Sequence, residues 1–336
     1  MKHPFEAPFF RAWFAVLTLL FAANQFLHAQ DAPQPQRPPG LQQKPASPSA
    51  PSTSAPSTAP PSQAPAQAAP AQGAPAKPDQ VIPISAQRHL HQAISFERDG
   101  NVENAILEYQ AAIKEYPDYF EAHYNLGRLY LDRQGYVDAI TELRAAVRIR
   151  PEDANAHNNL GLALKHNRDL SGALVEYREA VRLNPRMASA QNNLANVLYV
   201  RRDYNGAIQH YKAALELEPR SAETHMNLGS VLDDAGRPDE AIIEYKEALK
   251  LQPKNASAHY NLSIVYQKKK DMPTAIAELR EAAKLSPDWP TPHIMLTNLL
   301  KDSDPKSALD ECIVADGLTH DAKLHDECQE LQKKTR

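Results

Sequence analysis

Between residues 86 and 318 the apolar positions fall at helical spacing, in short bursts separated by polar or glycine-bearing breaks. In 122–134 (AHYNLGRLYLDRQ) the apolar stripe returns every three or four residues. After a break the pattern resumes in 138–151 (DAITELRAAVRIRP) and stops at a proline. Proline cannot continue a helix and pushes the residue before it out of the helical region. The spacing therefore predicts a pair of short helices, then a turn, then another pair.

The pairs recur with a fixed period. Pro117, Pro151, Pro185, Pro219, Pro253 and Pro287 stand 34 residues apart. Twelve residues before each is an alanine (Ala105, Ala139, Ala173, Ala207, Ala241, Ala275), and five before each is another (Ala112, Ala146, Ala180, Ala214, Ala248, Ala282). Between them, eight before each proline, comes a large side chain: Tyr109, Leu143, Tyr177, Tyr211, Tyr245 or Leu279. Small residues let two helices approach closely, and the large one fills the space beside that contact. A leucine column (Leu126, Leu160, Leu194, Leu228, Leu262) marks the first helix of each pair, while the first unit has Gln92 there. One pair cannot bury its own apolar face, so each must lean on its neighbours. Pro305, Ala308, Cys312 and Ala315 repeat the spacing of Pro238, Ala241, Tyr245 and Ala248, which predicts a seventh pair. The tail from Thr319 is charged with a thin apolar stripe, Leu324, Cys328 and Leu331, suited to a helix that covers the last pair.

The period, the Leu-Gly steps (Leu126–Gly127, Leu160–Gly161, Leu228–Gly229), Tyr130, the two alanine columns and the prolines resemble the tetratricopeptide repeat family. Two columns depart from its pattern. Histidine replaces the family's early tryptophan in most units, and the glycine column drifts to Ala93, Ala195, Ser263 and Thr297. The resemblance implies an all-α fold, a right-handed α-solenoid superhelix of about seven helix pairs with a C-terminal capping helix. The expected division is a signal peptide at 1–29, a linker at 30–83, the solenoid at 84–318 and the cap at 319–336.

Composition changes the picture only at the N-terminus. Residues 12–27 are almost wholly apolar behind Lys2 and Arg11, a run of 16. That is short of the ~20 residues that span a bilayer and reads as an export signal. Cleavage after Ala29, or retention as an uncleaved anchor, both fit, and neither leaves the repeats in the cytosol. The expected location is periplasmic or secreted, with membrane contact only through such an anchor. Fifteen of the 28 prolines lie between Pro33 and Pro83, among Ala, Gln and Ser. A stretch so poor in large apolar residues cannot offset its ordering entropy, and its prolines favour an extended spacer. Net charge is −4, and residues 1–85 carry +2 of it, which leaves −6 on the remainder. That sign lacks the basic footprint a nucleic-acid partner requires.

Candidate chemistry is sparse. His89, His123, His157, His225, His259 and His293 form a column, one per unit. Stacked helix pairs place equivalent atoms about 10 Å apart, too far to share a metal ion. They read as packing residues in the tryptophan position, and neither a metal nor a cofactor is expected. Phosphate-binding glycine loops, zincin motifs and nucleophile elbows do not occur, and the repeats leave no room for a catalytic domain, so the chain reads as non-enzymatic. Cys312 and Cys328 form either a disulfide or two buried thiols. The patterns at Asn255 and Asn261 that match a glycosylation acceptor fall at or within helices and read as chance.

A second column is asparagine: Asn125, Asn159, Asn193, Asn227 and Asn261. The resemblance implies that it lies on the concave face. An amide both donates and accepts, so a ladder of them can hold an extended peptide by its backbone; it can also orient neighbouring helices. Beside it stand Tyr124, Asn158, Asn192, Met226 and Tyr260, and then Arg128, Asn196, Ser230 and Asn298. Those columns lack lysine, which disfavours the carboxylate-clamping mode of the family's co-chaperones. Three roles stay open: an envelope scaffold that binds a partner segment, a structural factor that self-associates or braces an envelope, pilus or secretion complex, and an accessory module acting on an enzyme.

Overall fold

The computed structural model describes residues 81–336. The expected export signal and nearly all of the proline-rich segment lie outside the described residues. Fifteen α-helices follow one another: α1 (Ile84–Arg98), α2 (Val102–Glu115), α3 (Phe120–Asp132), α4 (Tyr136–Ile149), α5 (Ala154–His166), α6 (Leu170–Leu183), α7 (Ala188–Val200), α8 (Tyr204–Leu217), α9 (Ala222–Asp234), α10 (Pro238–Leu251), α11 (Ala256–Lys268), α12 (Met272–Leu285), α13 (Pro290–Leu300), α14 (Pro305–Thr319) and α15 (Ala322–Thr335). Odd-numbered helices up to α13 are the first of a pair, even-numbered ones the second, and α15 packs on α14. Each helix packs on the one before and the one after it, the contact pattern of an all-α solenoid.

The prolines end the second helices as the sequence implies. The residue before each is extended: Tyr116, Arg150, Asn184, Glu218, Gln252 and Ser286 have φ between −141° and −129°. First helices end differently. Gly100, Gln134, Arg168, Arg202, Gly236 and Lys270, one per repeat, all take the left-handed conformation, with φ between 60° and 75°. There the chain reverses through a bond such as Asp169 N–H to the Leu164 carbonyl, 2.9 Å. Only two of the six are glycine, so four side chains sit where Cβ meets the carbonyl. Arg168→Gly is therefore expected to raise stability by about 0.5–1 kcal/mol, read as a higher urea midpoint.

Packing explains the columns. Both alanine columns are buried to within 2% exposure, and Tyr109, Leu143, Tyr177, Tyr211, Tyr245 and Leu279 are equally enclosed. A Cβ at Gly161 would lie 2.8 Å from the Tyr177 ring, and one at Gly229 2.8 Å from Tyr245. The column drifts to Ala195, Ser263 and Thr297 elsewhere and stays buried. In the first unit Leu90, 7% exposed, supplies the apolar anchor, and Gln92 faces solvent.

The histidine column does more than fill space. His123 Nδ1 lies 2.6 Å from Glu142 on the second helix, while Nε2 lies 3.0 Å from the Pro117 carbonyl. His157 repeats this with Glu176 (2.6 Å) and Pro151 (2.9 Å), His225 with Glu244 (2.7 Å) and Pro219 (3.2 Å), and His259 with Glu278 (2.6 Å) and Pro253 (3.5 Å). Each ring ties its own helix to the second helix and to the turn before it. Reading the column as mere packing missed this bridge. The signal was available: a glutamate stands nine residues before the proline in the same units.

At the C-terminal end α14 runs on to Thr319 before the chain turns. Gly317 stays within α14, His320 takes φ 52°, and Asp321 caps α15 through the Lys323 and Leu324 N–H groups. Cys312 and Cys328 are joined as a disulfide across α14 and α15, with Cα atoms 5.6 Å apart.

Candidate functional site

Which side of the solenoid is the inside follows from the contacts. Successive first helices touch one another (α3 and α5, α5 and α7, α7 and α9, α9 and α11), and second helices make no comparable contact. The stack therefore curves toward the first helices, and their outward faces form the concave surface.

All the candidate residues sit on these helices. The asparagine ladder is half-buried, and its amides are partly spent on neighbours. Asn159 Nδ2 donates to Tyr124 Oη at 3.1 Å, Asn193 Nδ2 to Asn158 Oδ1 at 3.0 Å, and Asn227 Nδ2 to Asn196 Oδ1 at 3.4 Å. Asn125 stands beside the Tyr109 hydroxyl, and Asn261 beside that of Tyr245. The Oδ1 atoms of Asn159, Asn193 and Asn227 keep their acceptor capacity. Beside them the polarity is reversed. The oxygens of Asn158, Asn192 and Asn196 accept, Asn192 from Thr224 Oγ1 at 3.3 Å and Asn196 additionally from Tyr211, so their NH2 groups are the donors left over. Arg128 is held at one end by Glu97 and Asp132. Tyr260 packs on Trp289 with ring centroids 4.8 Å apart.

Two sets of groove residues escaped the sequence reading. The first comprises second-helix tyrosines, taken there as space-fillers. Tyr109 donates to Glu97 at 2.8 Å, Tyr211 to Asn196, and the Tyr245 hydroxyl lies 3.0 Å from Ser230 Oγ, so each reaches the floor of the groove from below. Tyr177 Oη is fully buried without a partner because Leu162 stands where its neighbours have Asn196 and Ser230. Burial holds all four phenols well above their ordinary pKa. A tyrosine where leucine also serves was the available hint.

The second set lies two turns beyond Asn158 and Asn192 on the same helix face. Lys165 is half-buried, with its pKa lowered by burial and partly restored by the charge of Glu223. Tyr199 donates to Asp234 at 2.8 Å, Lys268 pairs with Asp233 at 2.6 Å, and Gln267 Nε2 is buried without a partner. The columns beside the ladder lack lysine, but this next row supplies one. Asn255 is occupied as the N-cap of α11, accepting from Ala258 N–H at 3.1 Å, and Asn261 belongs to the ladder.

The tetratricopeptide repeat model matches in overlapping windows at 90–154, 127–188, 160–222, 192–255 and 226–290, well over half of the chain. The chain belongs to the tetratricopeptide repeat family. Among solved structures it is similar to a tetratricopeptide repeat protein from Parabacteroides merdae, with 15% identity and a TM-score of 0.55 over 74% of this chain and 98% of that one. It is also similar to pilF of Pseudomonas aeruginosa, at 24% identity and a TM-score of 0.54 over 63% of this chain and 96% of that one. A third likeness is to the MamA protein, at 25% identity and a TM-score of 0.48 over 52% of this chain and 94% of that one. The first two likenesses, at under 25% identity, show the fold alone. No curated protein matches this chain.

Proposed function

We propose that this tetratricopeptide repeat protein is a non-enzymatic interaction scaffold that holds an extended segment of a partner protein along its concave face. The observation that carries the reading is the fixed polarity of the amides. Asn159, Asn193 and Asn227 offer oxygens, while Asn158, Asn192 and Asn196 offer N–H groups. An extended backbone presents N–H and C=O groups that match the two rows, with little demand on its side chains. Repeats spaced about 10 Å apart would meet roughly every third residue of such a segment. Lys165 adds one positive charge to that bed. The apolar run at 12–27 supports export, and we place the scaffold in the cell envelope, on the periplasmic side or secreted.

A library of displayed linear peptides, selected on the wild-type chain and re-measured on N159A/N193A/N227A, tests this. Affinity is expected to fall at least ~10-fold, while each lost inter-repeat bond costs about 1 kcal/mol of stability. Unchanged peptide affinity in a folded variant would refute the groove as the binding face.

A further inference from the structure

The histidine ties carry a consequence beyond binding. In His123, His157, His225 and His259 both ring nitrogens face oxygen acceptors, a glutamate carboxylate on one side and a proline carbonyl on the other. A neutral imidazole has one N–H and one lone pair, so it can satisfy only one of them. The doubly protonated ring satisfies both. We propose that His157 is a proton-held tie, and that rising pH slackens the joint between α5, α6 and the turn before them. Because α5 contributes to the concave face, the set of the groove there follows the state of the tie.

One repeat provides the internal contrast. Gln191 replaces the histidine, and His210 replaces the glutamate nine residues before the proline. Gln191 Nε2 donates to the Pro185 carbonyl at 2.9 Å, and its Oε1 lies 2.7 Å from His210 Nδ1. A carboxamide is donor and acceptor at once, so this bridge closes with a neutral ring. The surroundings agree: burial and the nearby Arg178 hold His210 below its usual pKa, opposed by Asp203. The double exchange preserves the bridge geometry while removing the need for a proton.

The opposite holds at His157. Burial opposes its charged form, but the bonds to Glu176 and the Pro151 carbonyl, with the charges of Glu176 and Glu179, outweigh it and raise the pKa. Those two glutamates on α6 are the charged groups facing the ring, and Glu179 is itself bonded to Arg182 at 2.5 Å. For a histidine raised in the folded state, stabilisation is complete below the unfolded pKa, about 6.5, and is lost as pH rises through the folded value. The His157 tie is therefore tight in mildly acidic solution and weakens on the alkaline side. Repeats at the two ends hold partial versions: His89 reaches Glu108 at 2.6 Å, and His293 reaches Glu311 with a buried Nε2 left unpartnered.

The test compares melting midpoints near pH 6 and near pH 8.5 for the full chain and for H157Q/E176H, which copies the natural exchange into that repeat. Wild type is expected to melt about 2 °C lower at the higher pH, and the variant to lose at least half of that difference. Equal differences in the two proteins, or none in wild type, would overturn the proposal. His325, raised by its bond to Asp316, is common to both and cancels. If the variant fails to fold, the ring nitrogens of His157 in wild type decide. Near neutral pH their NMR shifts should report the imidazolium, and a neutral tautomer there would sink the idea.

Discussion

Truncating Tyr211 to alanine is expected to cost about 3–5 kcal/mol, the range for removing a large buried ring from a packed core. The residue is fully enclosed in the central cluster that also holds Ala207 and Leu228, and its hydroxyl holds Asn196. In a stack where each pair leans on the next, a loss of that size in the middle uncouples the two halves. The urea transition of the variant should therefore split in two, where wild type shows one. Tyr211→Phe keeps the packing and loses only the hydroxyl, so it should cost about 1 kcal/mol and leave a single transition. A single unshifted transition in Tyr211→Ala would contradict the account of the core.

The second large effect is expected at the C-terminal end. Cys312 and Cys328 close a loop with a sequence separation of 16, and losing a link over such a loop costs about 3 kcal/mol. C312S/C328S should free α15 first, because α15 is the last helix and packs chiefly on α14, through Leu324, Cys328 and Leu331. Hydrogen exchange would show this as faster labelling across 305–336 with little change before α13. Uniform loss of protection along the solenoid would mean that the cap stabilises every repeat, against nearest-neighbour stacking.

Much of the architecture was legible in the sequence because it repeats. One proline or alanine says little, but the same residue at a fixed offset in six units removes the ambiguity of short apolar runs. The features that were missed are those needing two columns to be read together. The histidines looked inert alone, and their meaning appears only with the glutamates 19 residues later and with the Gln191–His210 exchange. The second-helix tyrosines were assigned to the core, correctly for their rings, but periodicity cannot show a hydroxyl emerging on the opposite face. Lys165 was overlooked because the groove was read one row at a time. The C-terminal turn comes at His320, which takes the left-handed position that glycine usually fills, so no glycine marks it in the sequence.

The first helices of this stack touch from one repeat to the next, whereas each second helix reaches the next repeat through the first helix that follows it. Such an object resembles a coil spring that is already closed on one side. Tension along its axis would have to part each second helix from the following first helix, whereas compression meets first helices already in contact. A partner threaded along the inside would thus hold the spring at one length, and a load on either end would bear on that partner's grip.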